Sequence, residues 1–96
     1  MVNIIVRGGE INALKHAVER LMNLFISLKP DEITMLGPAQ APIFKIRGQH
    51  RFQILLKAND TLVLNTFIRK GVAEFRAGYP IKGIHIDINV DPINLM

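Results

Sequence analysis

Cysteine is absent from the 96-residue chain, and no apolar run is long. Without cysteine, the chain cannot form a disulfide, a thiolate zinc site or a cysteine nucleophile. No stretch approaches the ~20 consecutive apolar residues that a membrane-spanning helix needs, and the apolar run at 2–6 is too short for a secretory signal. These absences predict a cytoplasmic protein, and the length predicts a single domain that depends on its apolar core.

Catalytic and metal-binding motifs are also missing. The sequence contains no phosphate-binding Walker loop, no Ser-His-Asp order and no His-Glu-x-x-His helix. His85, Asp87 and Asn89 share one face of a predicted strand, but alternate strand residues lie about 7 Å apart, too far for a compact oxygen cage. We therefore expect no catalysis, cofactor or metal within this chain.

Positive charge is concentrated in the middle of the sequence. Residues 1–42 carry four bases and four acids, whereas residues 43–82 carry eight bases and two acids. Such clustering favours a polyanionic partner, although a small domain also carries net charge for solubility alone.

Apolar periodicity predicts six elements in the order βαββαβ. The strands are expected near 2–7, 33–36, 43–57 and 84–91, and the helices near 10–28 and 60–77. Gly37-Pro38 is expected to end the second strand, and Gly48-Gln49 to bend the third. This order is typical of an α+β, ferredoxin-like fold, in which two helices cover one face of a four-stranded antiparallel sheet.

The face that the helices leave open is the predicted functional surface. In this topology the first and third strands are adjacent, so Arg7 should lie beside the bases of the third strand. Strand parity predicts that one row on the open face contacts the phosphate backbone of DNA. Its members are Arg7, Lys45, Arg47, Arg51 and Lys57. On the opposite face, the expected core contains Leu21, Phe25, Phe52, Ile54, Phe67 and Ile86.

Two other uses of this topology match the residues less well. Acylphosphatases hold phosphate after the first strand, where Gly8 and Gly9 stand here, but no arginine opens the following helix; a plain turn is expected. RNA-recognition motifs expose aromatic rings on the third strand, but the corresponding positions hold Gln49 and Arg51, and Phe52 has the parity of the buried face. We therefore expect little base stacking.

Three motifs in order resemble one family. They read LGPAQAPI at 36–43, KIRGQHRFQILLK at 45–57 and IDINVDP at 86–92. They resemble the C-terminal part of primosomal protein N′, the PriA family of replication-restart helicases, and the resemblance runs from Leu36 to the end of the chain. Gln40, His50 and Asn89 depart from the family pattern.

The resemblance implies that residues 1–96 are one C-terminal domain, an excised fragment of a longer helicase. ATP, magnesium and zinc would then belong to the parent protein, whose other domains would be partners. The family also implies binding to forked or single-stranded DNA, and docking of the acidic tail of single-stranded DNA-binding protein near Thr61 and Asn65.

Two classes of function remain open at the level of sequence. The chain is either a DNA-binding and partner-docking module without activity of its own, or a free-standing ferredoxin-like protein. The second class includes an acylphosphatase-like enzyme and a ligand-binding regulator. The motifs favour the first class.

Overall fold

Four strands and two helices follow one another in the predicted order. A computed structural model describes residues 1–46, 48–78 and 83–90, without the side chains of 41–46. The elements are β1 (Val2–Gly8), α1 (Ile11–Leu28), β2 (Thr34–Ile46), β3 (Gln49–Lys57), α2 (Thr61–Gly78) and β4 (Ile84–Val90). The strands form one antiparallel sheet in the order β2-β3-β1-β4, which confirms the α+β, ferredoxin-like prediction.

The segment predicted as one bent strand at 43–57 is instead a hairpin. β2 continues to Ile46 and the chain returns as β3 from Gln49, with Gly48 at a φ of 79°. A left-handed conformation is one that glycine adopts without steric cost, so Gly48 allows a reversal rather than a bend. The prediction of a single strand was therefore wrong.

The prediction that Gly37-Pro38 ends the second strand was also wrong. β2 passes through this dipeptide, and its pairing with β3 shifts register between Leu36 and Ala39 and again between Gln40 and Lys45. Proline cannot donate a hydrogen bond to a sheet, but an edge strand has one side without a neighbour and tolerates it at a bulge. The position of β2 at the sheet edge explains why the strand continues.

Both helices begin at an acidic cap. The carboxylate of Glu10 accepts hydrogen bonds from the backbone amides of Asn12 and Ala13, each at 2.9 Å. Asp60 accepts from the amides of Leu62 and Val63 in the same way. Each cap satisfies amides that have no partner within the helix, which fixes where α1 and α2 start.

The core lies between the helices and one face of the sheet. It is formed by Val2, Ile4, Val6, Leu14, Ala17, Val18, Leu21, Phe25, Ile33, Ile54, Leu56, Leu64, Phe67, Ile68, Val72, Phe75 and Ile84. Of the predicted core residues, Phe52 and Ile86 are only partly buried. Phe52 also lines a groove of about 420 Å³ with Met22 and Pro38, which accounts for its partial exposure.

The two helices approach each other closely at Gly71 of α2. A β-carbon at this position would lie 2.4 Å from Cε1 of Phe25 on α1. The ring of Phe25 in turn packs against Phe67, with 5.2 Å between ring centroids. Glycine is therefore needed here for space rather than for backbone conformation. Within the described residues, neither helix combines the length and apolarity needed to cross a membrane.

Candidate nucleic-acid interface

The open face of the sheet carries the odd-numbered side chains of β1, β3 and β4. Cα register aligns Asn3, Ile5 and Arg7 of β1 with odd-numbered residues of both neighbouring strands. Directly paired residues of antiparallel strands point to the same face, so these positions form short rows across the sheet. Both helices pack on the opposite side, against the core residues.

One cross-strand row contains three basic residues. Arg7 pairs in register with Arg51 on β3 and with His85 on β4. Because neighbouring strands are about 4.8 Å apart, the three Cα atoms span roughly 10 Å. The adjacency of β1 and β3 that the topology predicted is confirmed, and it places Arg51 beside Arg7. We call Arg51, Arg7 and His85 the basic row.

Arg7 is held by one residue on each of the two neighbouring strands. Its Nε donates to Oδ2 of Asp87 on β4 at 2.9 Å, and its Nη1 donates to Oε1 of Gln49 on β3 at 2.8 Å. The side chains of Arg7 and Asp87 are 34% and 46% exposed, so the ion pair is in contact with solvent. Sequence reasoning considered Asp87 only as a metal ligand and missed this pairing.

Lys57 lies far from the basic row, although it shares the face. It is exposed at the end of β3, six residues from Arg51, or about 20 Å along the strand. The intervening open-face positions hold Gln53 and Leu55, and Ile5 at the centre is only 4% exposed. Among the described side chains, neither Arg51 nor Lys57 forms an ion pair.

The other two predicted DNA contacts, Lys45 and Arg47, cannot be placed on the open face. Register aligns Lys45 with His50, but the side chain of Lys45 and the whole of Arg47 lie outside the described residues. Their contribution to the open face stays a prediction.

The two predicted partner-binding residues lie at the start of α2. Thr61 is exposed at the first position of the helix, and Asn65 lies one turn later. Asn65 lines a groove of about 250 Å³ between α2 and β4, together with Ile68, Arg69, Ile88 and Val90. Thr61 does not line this groove. Arg69 places a cation there, one helical turn beyond Asn65.

The residues after β1 do not form a phosphate site. The amides of Asn12 and Ala13, which would face an anion at the start of α1, are already bonded to the carboxylate of Glu10. Those two hydrogen bonds also lower the pKa of Glu10 below its ordinary value. A second anion here would meet the charge of Glu10. Gly8 is close-packed, since a β-carbon there would lie 3.0 Å from Cδ1 of Ile84.

The side chains present do not fit the metals that the family resemblance implies. The chain has no cysteine, and within the part that the structure describes no group of three or more His, Asp or Glu side chains could hold an ion.

Comparisons with known proteins agree on fold and family. The family described as primosomal protein N C-terminal domain matches residues 1–93. The replication restart protein PriA of Treponema pallidum (strain Nichols) is 28% identical over 96 residues, covering all of this chain and 14% of that protein. A de novo designed protein, Foldit4, superposes with a TM-score of 0.60 at 8% identity, over 95% of this chain and 96% of its own; it supports the fold alone.

The sequence resemblance based on residues 36–92 is confirmed by these matches, which extend it to the first strand. The chain spans only 14% of the length of the Treponema relative. Because the family match covers 1–93, the protein belongs to the family of PriA C-terminal domains, found in replication restart proteins.

Proposed function

We propose that this domain binds DNA through its open sheet face and docks a partner, as part of a bacterial ATP-dependent replication-restart helicase that assembles the primosome in the cytoplasm. The basic row is the observation that carries the DNA-binding part of the proposal. Arg51, Arg7 and His85 lie side by side on the face opposite the helices, where an extended polyanion meets no steric obstacle from α1 or α2.

Binding of this kind is electrostatic rather than base-specific. The described open-face positions of β1, β3 and β4 hold no Phe, Tyr or Trp on which bases could stack. Contacts from arginine and lysine to phosphate carry no sequence information, and they release counterions from the nucleic acid. We therefore expect weak, sequence-tolerant binding that falls steeply with salt. Forked and single-stranded DNA are the substrates proposed from the family.

A matched pair of double variants tests the location of the DNA site. Arg51→Ala with Lys57→Ala removes two charges from the open face, whereas Lys15→Ala with Lys70→Ala removes two exposed charges from the helices. Fluorescence anisotropy with labelled fork, duplex and single-stranded DNA over a salt series should show weaker binding by the first variant only. Its salt slope should flatten by roughly two, one per lost phosphate contact.

The control makes the outcome decisive. Both variants change net charge equally, so an equal loss of affinity would mean that DNA responds to overall charge and not to the open face. A third double variant, Lys45→Ala with Arg47→Ala, tests whether these two bases belong to the same site, in which case it should also weaken DNA binding.

Partner docking is the second part of the proposal, and it is supported by the groove between α2 and β4. The groove combines apolar walls from Ile68, Ile88 and Val90 with the cation of Arg69. Such a surface suits a peptide that carries both acidic and apolar side chains, such as the acidic tail of single-stranded DNA-binding protein. Thr61 stands outside the groove, so we assign the charge contact to Arg69.

In a longer parent protein, we place the ATP, magnesium and zinc sites that the family implies on other domains. The proposal for this domain is that it contributes binding and no chemical step. Other domains of the parent would then be its further partners.

A further inference from the structure

We propose that Asp87 competes with phosphate for Arg7, and so sets the DNA affinity of the open face. The inference rests on the proposed function, because it concerns the same basic row. In the uncomplexed domain, Asp87 and Gln49 hold the guanidinium of Arg7, so within the basic row Arg51 makes the first phosphate contact.

The geometry of the guanidinium group shows why the competition is direct. Arginine binds a phosphate or carboxylate most strongly with two parallel N–H bonds, taken either from Nε and Nη2 or from Nη1 and Nη2. In Arg7, Nε already donates to Asp87 and Nη1 already donates to Gln49. Nε has a single hydrogen, so the pair of Nε and Nη2 is already in use, whereas Nη1 donates only one of its two hydrogens to Gln49. A phosphate can therefore bind the Nε and Nη2 edge of Arg7 with two bonds only after it displaces Asp87.

Charge makes Asp87 the more important of these two neighbours. Gln49 is neutral, whereas the carboxylate of Asp87 lies 2.9 Å from Nε and repels any phosphate that approaches the same guanidinium. Asp87 also relieves the repulsion between Arg7 and Arg51, which are directly opposite each other and have the same charge. The same carboxylate thus favours the unbound arrangement of the face and opposes the bound one.

Four proteins test the inference: the wild type, Asp87→Asn, Arg7→Ala and the double variant. Asparagine keeps an oxygen that can accept from Nε but loses the charge. Asp87→Asn should bind labelled single-stranded DNA about two- to fivefold more tightly at low salt, the range expected for one partly exposed ion pair. Its salt slope should steepen by about 0.7, the value for one more phosphate engaged on a single strand.

Arg7→Ala tests whether the gain depends on the guanidinium of Arg7. In the wild type this substitution removes a member of the basic row and leaves the carboxylate of Asp87 unpaired, so affinity should fall. In the Asp87→Asn background the same substitution should abolish the gain. Glu19→Gln, which removes an exposed acid from α1, is the matched control and should not raise affinity as much.

Three results would overturn the inference while leaving the proposed function intact: unchanged affinity in Asp87→Asn, an equal gain in Glu19→Gln, or a gain that survives the loss of Arg7. Failure of the proposed function looks different, because the double variant Arg51→Ala with Lys57→Ala would then bind DNA as tightly as the wild type does. Unfolding curves of every variant establish that each protein is folded in the assay.

Discussion

Substituting Gly71 by alanine tests the closest contact between the two helices. The new β-carbon would lie 2.4 Å from Cε1 and 2.8 Å from Cδ1 of Phe25, distances that require atoms to move. The ring cannot move away freely, because Phe25 is fully buried and packs against Phe67. Overpacking of a well-packed core costs about 1–3 kcal/mol. Alanine in a helix recovers about 1 kcal/mol relative to glycine, so we expect a net destabilisation of up to about 2 kcal/mol.

Gly78 provides the matched control within the same helix. A β-carbon there would meet no atom within 4 Å, and its φ is not positive. Gly78→Ala should therefore leave stability unchanged or raise it by less than about 1 kcal/mol. Urea unfolding followed by circular dichroism measures both free energies of unfolding. Each kcal/mol should also shift Tm by roughly 4–8 °C for a domain of this size.

A second substitution identifies the contact responsible. In a Phe25→Leu background the ring is gone, so Gly71→Ala should cost much less than it does in the wild type. A Gly71→Ala protein as stable as Gly78→Ala would refute the reasoning, as would an equal cost with and without the ring. Either result would mean that the helices can separate without loss of packing energy.

Two further predictions concern the start of α1 and the groove beside α2. Two backbone hydrogen bonds lower the pKa of Glu10, so the folded state gains stability above the ordinary value of 4.5 and loses it as pH falls through the lowered pKa. Thermal unfolding over a pH series should show Glu10→Gln less stable than wild type near neutral pH, with the difference shrinking in acid; a constant difference would contradict it. Arg69→Ala should weaken binding of an acidic peptide with an apolar C-terminal residue about tenfold. Lys70 is exposed next to Arg69 but does not line the groove, so Lys70→Ala should leave peptide binding unchanged. If calorimetry shows that both variants lose peptide affinity equally, the peptide responds only to net charge.

The two helices could be predicted from sequence because their signals are local. The apolar stripe of α1, for example, is visible in the residues themselves. The course of β2 could not be predicted in this way, because Gly37 and Pro38 usually end a strand. Only the position of β2 at the sheet edge, a tertiary fact, makes them tolerable there.

The candidate site could be predicted only in part, because part of it depends on the register between strands. Topology alone placed Arg7 beside the third strand, and the register with Arg51 agrees. The pairing of Arg7 with Asp87 needed the register between β1 and β4, in which His85 is opposite Arg7 and Asp87 is diagonal to it. The available signal was an acidic and a basic residue that point to the same face on neighbouring strands. Many pairs of residues meet this condition until the register between the strands is known.

The two edges of the sheet differ in what they allow a neighbouring chain to do. β2 is interrupted by two register shifts and contains Pro38, features that obstruct the addition of another strand. β4 pairs with β1 in unbroken register over Ile84–Val90 and contains neither proline nor lysine. Its apolar side also leaves Ile88 and Val90 43% and 60% exposed. Self-association at high concentration is therefore expected to begin at β4, and a lysine in place of Val90 is the change that would most directly suppress it.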